Sequence, residues 1–336
     1  MSVHSLVAKD LVKDFVVHRG GGQTAVAQVL QDVSITLQSG RIMGVVGESG
    51  SGKSTLARIL AGFEQPTSGT LLLDGEAVKV AGRADRRRYG SGVQMVFQDP
   101  FAALNGQKPV RHNLERALRI HGLAKSRKDA EPKIIELLER VRLFPGSQFI
   151  DKYPHELSGG QRQRVCIARA LAVSPWVLLG DEPISMLDVS MRLDVLNLLD
   201  ELRSDGFAML YITHDLASAR YICDDLAVMY AGRIVEAGPA ADVIANPTHP
   251  YTRLLVSSSP DPARVRSAEE KGVDWIRGAG EPPSPLNPPK GCRFHPRCPL
   301  ATEECLTLPP RVYVTEDHWA DCWHVDQVEL LPTPAG

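Results

Sequence analysis

Short apolar runs recur along the first 245 residues, separated by stretches with helical spacing. Arg41-Ile-Met-Gly-Val-Val-Gly predicts a buried strand. Residues 53–61 then predict a helix whose Leu56, Ile59 and Leu60 share an inner face, with Gly62 as its stop. Trp176-Val-Leu-Leu and Met209-Leu-Tyr-Ile-Thr predict further buried strands. Ile134, Leu137, Leu138 and Val141 mark one face of an intervening helix. Asp225-Leu-Ala-Val-Met-Tyr-Ala-Gly-Arg-Ile-Val-Glu predicts two strands around a tight turn at Ala231-Gly232. Strands alternating with helices argue for an α/β fold with a largely parallel sheet.

After Ala245 the pattern changes. Fifteen of the 24 prolines fall in the last 91 residues, and Glu281-Pro-Pro-Ser-Pro-Leu-Asn-Pro-Pro excludes helix or central strand. Four of the six cysteines lie there too. Residues 1–245 are therefore expected to form one domain and 246–336 a smaller, loop-rich extension. The net charge of −2 gives no electrostatic reason for nucleic-acid binding. No run approaches 18 apolar residues and no apolar block opens the chain, so a cytoplasmic protein is expected, its cysteines thiols or metal ligands.

Gly47-Glu-Ser-Gly-Ser-Gly-Lys-Ser fits G-x-x-x-x-G-K-[ST] between a predicted strand and a predicted helix. Gly47, Gly50 and Gly52 let the backbone curl, with Ser49 and Ser51 between them, so that successive N–H groups face one phosphate chain. Lys53 suits β- and γ-phosphate oxygens, the Ser54 hydroxyl suits Mg²⁺, and Thr55 continues the first helical turn. Val177-Leu-Leu-Gly-Asp181-Glu182 is a buried strand ending in two acids. Asp181 is placed to hold Mg²⁺ and Glu182 to polarise the attacking water. Leu157-Ser158-Gly159-Gly160-Gln161 predicts a second helix start with room for an anion. One ATP already has its phosphate loop, so this second site fits a neighbouring subunit's nucleotide.

Over about residues 6–245 these motifs, in this order, resemble the ATP-binding subunits of ABC transporters. The resemblance implies an ABC-type P-loop ATPase domain: a mostly parallel sheet, an antiparallel β part and a helical subdomain. It implies that Phe15 stacks on adenine, that Gln98 reaches Mg²⁺ and water, and that His214 contacts the γ-phosphate. It also places Ser185-Met-Leu-Asp188 at a dimer seam, although Ile184 and Met186 replace the usual Thr and Ala. The basic cluster Arg83 to Arg88 reads as a solvated face. A soluble non-transport ABC ATPase is the rival; it usually carries two ATPase units or a long coiled coil, and one P-loop with 104 residues between Lys53 and Ser158 argues against it.

The tail narrows the resemblance. Thr248-His-Pro-Tyr-Thr-Arg-Leu-Leu and Gly291-Cys-Arg-Phe-His-Pro-Arg-Cys-Pro-Leu resemble the C-terminal extension of oligopeptide, dipeptide and nickel importers. That branch implies two transmembrane permease subunits, a second, non-identical ATPase subunit, an extracytoplasmic solute-binding protein and a place at the cytoplasmic face of the membrane. Peptides are the expected cargo, with oligosaccharides such as cellobiose, or nickel, as alternatives. Cys292, Cys298, Cys305 and Cys322, spaced C-x₅-C-x₆-C-x₁₆-C, are a candidate structural metal site for zinc or an iron–sulfur cluster, which spacing alone does not decide. The resemblance implies a [4Fe–4S] cluster, which is expected to lie away from the ATP site and to fix the fold of the tail.

Overall fold

The computed structural model describes residues 4–19, 23–78, 80, 82–258 and 280–330. Two long antiparallel strands, β1 (Ser5–Arg19) and β2 (Gln23–Gln38), precede the short buried β3 (Ile42–Val46) and helix α1 (Lys53–Leu60). Then come β4 (Ser68–Leu73), β5 (Glu76–Ala77), α2 (Arg83–Gly92) and β6 (Val93–Val96). A helical stretch follows: α3 (Pro100–Ala103), α4 (Val110–Ile120), α5 (Arg127–Arg140) and α6 (Gly159–Leu171). Next are β7 (Val177–Asp181), α7 (Val189–Ser204), β8 (Ala208–Thr213), α8 (Leu216–Ile222), β9 (Asp225–Tyr230) and β10 (Arg233–Pro239). The described chain ends with α9 (Ala240–Ala245), α10 (Pro250–Ser258) and the short strands β11 (Arg311–Tyr313) and β12 (Trp319–Asp321).

These strands make two sheets. Four antiparallel strands run in the order β2-β1-β4-β5, and eight run β11-β12-β10-β9-β3-β8-β7-β6. Within the larger sheet β9, β3, β8, β7 and β6 are mutually parallel, as the alternation predicts. Their runs are apolar on both faces because both faces are covered. Leu11, Leu30 and Val33 of the small sheet pack with Leu56, Ile59 and Leu60 of α1 and with Val45, Leu179 and Ile212. On the other face Leu114, Leu118, Ile134, Leu138 and Val165 join the helical stretch to Leu178, Leu199 and Met209. The turn between β9 and β10 falls at Ala231 and Gly232, both at positive φ (44° and 86°), as a two-residue hairpin requires.

The proline-rich tail is tied to the sheet. β12 pairs antiparallel with β10 through Glu236↔Ala320 and Ala237↔Trp319. Glu236 is wholly buried, and its carboxylate accepts hydrogen bonds from the Thr248 and His249 amides (2.9 and 2.8 Å) and lies 2.8 Å from His318 Nε2. A buried carboxylate requires partners of this kind.

Candidate functional site

The parallel strands deliver the site at their carboxyl ends, where ligands bind in open α/β sheets. β3 runs into the loop Gly47–Gly52, and α1 begins at Lys53. Gly52 has φ +104°, and a Cβ there would sit 2.8 Å from the Val29 carbonyl oxygen, so only glycine fits. Ser49 and Gly50 are exposed at the loop crest, Ser51 is buried, and Thr55 is half-buried on α1. Lys53 is buried, and its ammonium donates to the Gly47 and Glu48 carbonyls (2.7 and 2.8 Å). Burial lowers its pKa against the opposing pull of Glu182, Asp181 and Glu48. Ser54 Oγ donates to Asp181 Oδ1 at 3.0 Å, bringing two of the three expected Mg²⁺ ligands together. Burial raises the Asp181 pKa, the state of a carboxylate lacking a full countercharge.

Glu182 leaves β7 in the left-handed region at φ +49°, held by its N–H donating to the Ile212 carbonyl at 3.0 Å. Such backbone strain in a non-glycine residue is typical of working sites. Gln98, just past β6, donates from Nε2 to Glu182 Oε2 at 3.0 Å. His214, just past β8 and 64% exposed, places Nδ1 3.3 Å from the same oxygen. Phosphate loop, two acids, glutamine and histidine thus converge from four neighbouring strands.

Three expected contributors make no hydrogen bond or ion pair with that cluster among the described residues. Ser158 caps α6: its Oγ accepts from the Gln161 amide (3.2 Å) and its amide donates to Gln161 Oε1 (3.1 Å). Gly160 is buried and a Cβ there would meet Met191, while Gly159 faces Leu187. These contacts are local, and none of them reaches the phosphate loop. Asp188 caps α7 through its backbone alone and is exposed beside Met186 (55% exposed) and Val189 (81%). Phe15 is half-buried on β1, with the Lys13 ammonium 4.6 Å from its ring centroid, and is not a core aromatic. The α2 arginines are exposed, as a solvated face requires.

In the extension, the Cys292 amide donates to the Cys305 carbonyl (3.0 Å), and the thiols of Cys292, Cys298, Cys305 and Cys322 lie near enough to influence one another electrostatically. Backbone amides approach three of the sulfurs, His324 N–H reaching Cys322 Sγ at 3.3 Å. Burial pushes Cys298 and Cys322 up to about 12. Even so, among the described residues no group of three or more His, Cys, Asp or Glu side chains is placed to hold a metal ion. The four thiols thus share one neighbourhood without forming a closed set of metal ligands. Cys166 and Cys223 sit in the ATPase part, buried and half-buried.

The extension reaches the phosphate loop. Tyr251 Oη accepts from the Glu48 amide at 2.8 Å, and Arg297 donates to the Glu48 carboxylate at 2.9–3.1 Å. Sequence reasoning missed Glu48, Tyr251 and Arg297; an acid within the phosphate loop and an arginine beside Cys298 are the only sequence signals.

Comparison with known proteins agrees with this geometry. Residues 30–185 match the ABC transporter family and residues 235–305 the oligopeptide/dipeptide transporter C-terminal region. The chain is 43% identical over 329 residues to the di/tripeptide transport ATP-binding protein of Pseudomonas aeruginosa, covering 96% of this chain and 98% of that one. It is 41% identical to the dipeptide transport ATP-binding protein of Haemophilus influenzae, covering 89% and 90%. Among solved structures it is similar to a dimeric bacterial ABC transporter cassette (TM-score 0.61, 26% identity, covering 70% of this chain and 98% of that one). A cassette in a post-hydrolysis state bound to ADP and Pi gives the same values. A phosphate loop and paired strand-end acids, on a chain so similar from end to end to these relatives, mean that it belongs to the ATP-hydrolysing, ATP-binding subunits of ABC transporters.

Proposed function

We propose that the chain powers a di- and oligopeptide importer by hydrolysing ATP at the cytoplasmic face of the cell membrane. The observation that carries the ATPase assignment is the single carboxylate oxygen of Glu182 shared by Gln98 and His214 beside the phosphate loop. The peptide assignment rests on the C-terminal region and on the peptide-transport relatives. Among the described residues no helix is long and apolar enough to cross a membrane, so translocation requires permease subunits. A groove of about 640 Å³ lined by Phe63, Phe97, Asn113, Arg116 and Ile120 suits such a partner. Phe63 and Phe97 stack there with centroids 6.0 Å apart, and Phe97 adjoins Gln98, so docking is felt at Glu182.

The proposed roles combine this geometry with the family resemblance. The loop amides from Gly47 to Thr55 cradle phosphates, Lys53 neutralises them, and Phe15 stacks on adenine. Ser54, Asp181 and Gln98 would hold Mg²⁺, which supplies charge neutralisation. Glu182 takes a proton from water attacking the γ-phosphate in line, and His214 positions that phosphate. Ser158-Gly-Gly-Gln161 and Asp188 serve the nucleotide of a second, non-identical ATPase subunit, a role that fits their lack of any hydrogen bond to this chain's own phosphate loop among the described residues. Residues 1–245 are the ATPase domain and 246–336 the extension. Two permeases and an extracytoplasmic solute-binding protein complete the assembly.

Cys292, Cys298, Cys305 and Cys322 would hold a [4Fe–4S] cluster, with zinc as the alternative. The all-thiol donor set and the amides aimed at the sulfurs support the fit, and ligation would supply folding energy to a segment poor in core. Anaerobic purification with iron and sulfide analysis tests it: zinc, or no metal, overturns the cluster. For the function itself, affinity purification of the tagged chain from membranes is expected to bring down two permeases. ATPase activity is then expected to rise when peptide-loaded binding protein is added. Stimulation by sugar-loaded or nickel-loaded binding protein alone would overturn the peptide assignment.

A further inference from the structure

Glu48 puts a carboxylate inside a loop whose task is to bind polyanionic phosphate. Left alone, it opposes that task in two ways: it repels the phosphates, and it attracts the Lys53 ammonium that should meet them. Lys53 already donates from Nζ to the Glu48 carbonyl at 2.8 Å, which sets the two charged residues side by side. The structure supplies the remedy from more than 240 residues away in sequence. Both terminal nitrogens of Arg297 donate to the Glu48 carboxylate, Nη1 at 2.9 Å and Nη2 at 3.1 Å, and Nη1 also reaches the Tyr230 hydroxyl at 3.2 Å. The arginine side chain is only 10% exposed, so its charge is poorly screened by solvent.

The arginine is itself held firmly. Phe294, three residues earlier, packs edge-on against Tyr230 (5.2 Å) and beside Tyr251 (5.5 Å), and Tyr251 Oη takes the Glu48 amide. Arg293 donates to the Ala231 carbonyl, and the next residue, Gly232, donates its amide to the Ser51 carbonyl in the phosphate loop. The loop is thus braced from behind by the extension at two points. Arg297 directly precedes Cys298, so whatever orders the cysteine segment orders the arginine.

We propose that Arg297 is a positioning residue of the ATP site: it neutralises Glu48, leaves Lys53 to the phosphates, and makes nucleotide affinity depend on the folded cysteine-rich extension. A merely structural tie would stabilise the extension without setting affinity, and would not be relieved by removing the carboxylate.

The test uses the purified full chain, with fluorescent mant-ATP and Mg²⁺ as the probe and thermal melting as the control for folding. One uncompensated charge a few ångströms from the phosphates corresponds to at least about fivefold in Kd even at the dielectric of bulk water, and to more where solvent is partly excluded. Arg297→Gln is therefore expected to weaken mant-ATP about tenfold, and Arg297→Lys, which keeps the cation, less than about threefold. Glu48→Gln is expected to bind at least as tightly as the unaltered chain. The decisive variant is Arg297→Gln with Glu48→Gln, in which no charge needs neutralising: affinity is expected to return to within about twofold. Unchanged affinity in Arg297→Gln overturns the proposal, as does a folded double variant that binds as weakly as Arg297→Gln. If Arg297→Gln melts below the assay temperature, the double variant and Arg297→Lys decide between the same outcomes.

Discussion

Replacing Glu182 by glutamine removes one charge and almost no volume. The amide oxygen can still accept from Gln98 Nε2, now at 3.0 Å, and the backbone stays pinned by the Ile212 carbonyl, so the site keeps its shape. What is lost is the ability to take a proton from water. General-base catalysis contributes about 10²–10⁴ in rate, or roughly 3–5 kcal/mol of activation free energy. Nucleotide binding moves the other way. Glu182 is one of three acids pulling on Lys53, so its neutralisation frees the ammonium for phosphate and affinity holds or rises. The assay is phosphate release by the reconstituted transporter, with retained nucleotide measured after rapid gel filtration. The expected result is turnover down at least about 100-fold with nucleotide retained. Turnover within about threefold of the unaltered protein would refute the general-base role. Loss of turnover together with loss of ATP binding would refute it too, because the side chain would then be holding the loop and not the proton.

Two further outcomes follow from the geometry. Gly47→Ala drives a methyl into the Met229 backbone carbonyl at φ +153°, a clash that a side-chain rotation cannot relieve. A stability loss of at least about 3 kcal/mol in urea melts is expected, and a loss below about 1 kcal/mol would contradict the contact. His249 is buried, accepts the Tyr251 amide at Nδ1 (3.0 Å), and has its pKa lowered by burial to about 4 from 6.5. Above pH 6.5 it is neutral in both folded and unfolded chains and contributes no pH dependence. Between pH 6.5 and 4 only the unfolded chain takes the proton, so stability falls as pH falls, by about 2 kcal/mol on reaching pH 5. His249→Asn keeps an acceptor for Tyr251 and should flatten that limb in melts at pH 7 and pH 5; an unchanged acid limb would place the titration elsewhere.

The parallel strands and the ATP site were legible because their signals are local. β3, the loop and α1 sit in one stretch of 19 residues, Ile42–Leu60, and each apolar run is buried on both faces. β1 and β2 were not singled out despite being the longest strands, at 15 and 16 residues. Register shifts between Ala8 and Leu11, Leu11 and Lys13, and Lys13 and Asp14 break the alternation by which a half-buried strand is recognised. The three-residue β11 and β12 carry too few positions for any period. The contact between Glu48 and Arg297 was invisible for a different reason: ion pairing across such a separation leaves no pattern in composition or spacing. Strand-end acids announce themselves; a charge that arrives from the far end of the chain does not.

β10 gains its outer neighbour only when residues 319–321 arrive, about 80 residues after its own end at Pro239. At ribosomal rates of roughly 5–20 residues per second, the growing chain spends several seconds with that edge unpaired. Over the same interval Glu236 waits for His318, and Tyr230 and Tyr251 wait for Phe294. An open strand edge beside uncovered aromatic rings is a template for association with other nascent chains. The proline-rich run between them, unable to add a strand of its own, delays pairing while denying the edge a competing partner within the chain. Maturation of this subunit is thus a race between closing its own sheet and being closed by a stranger.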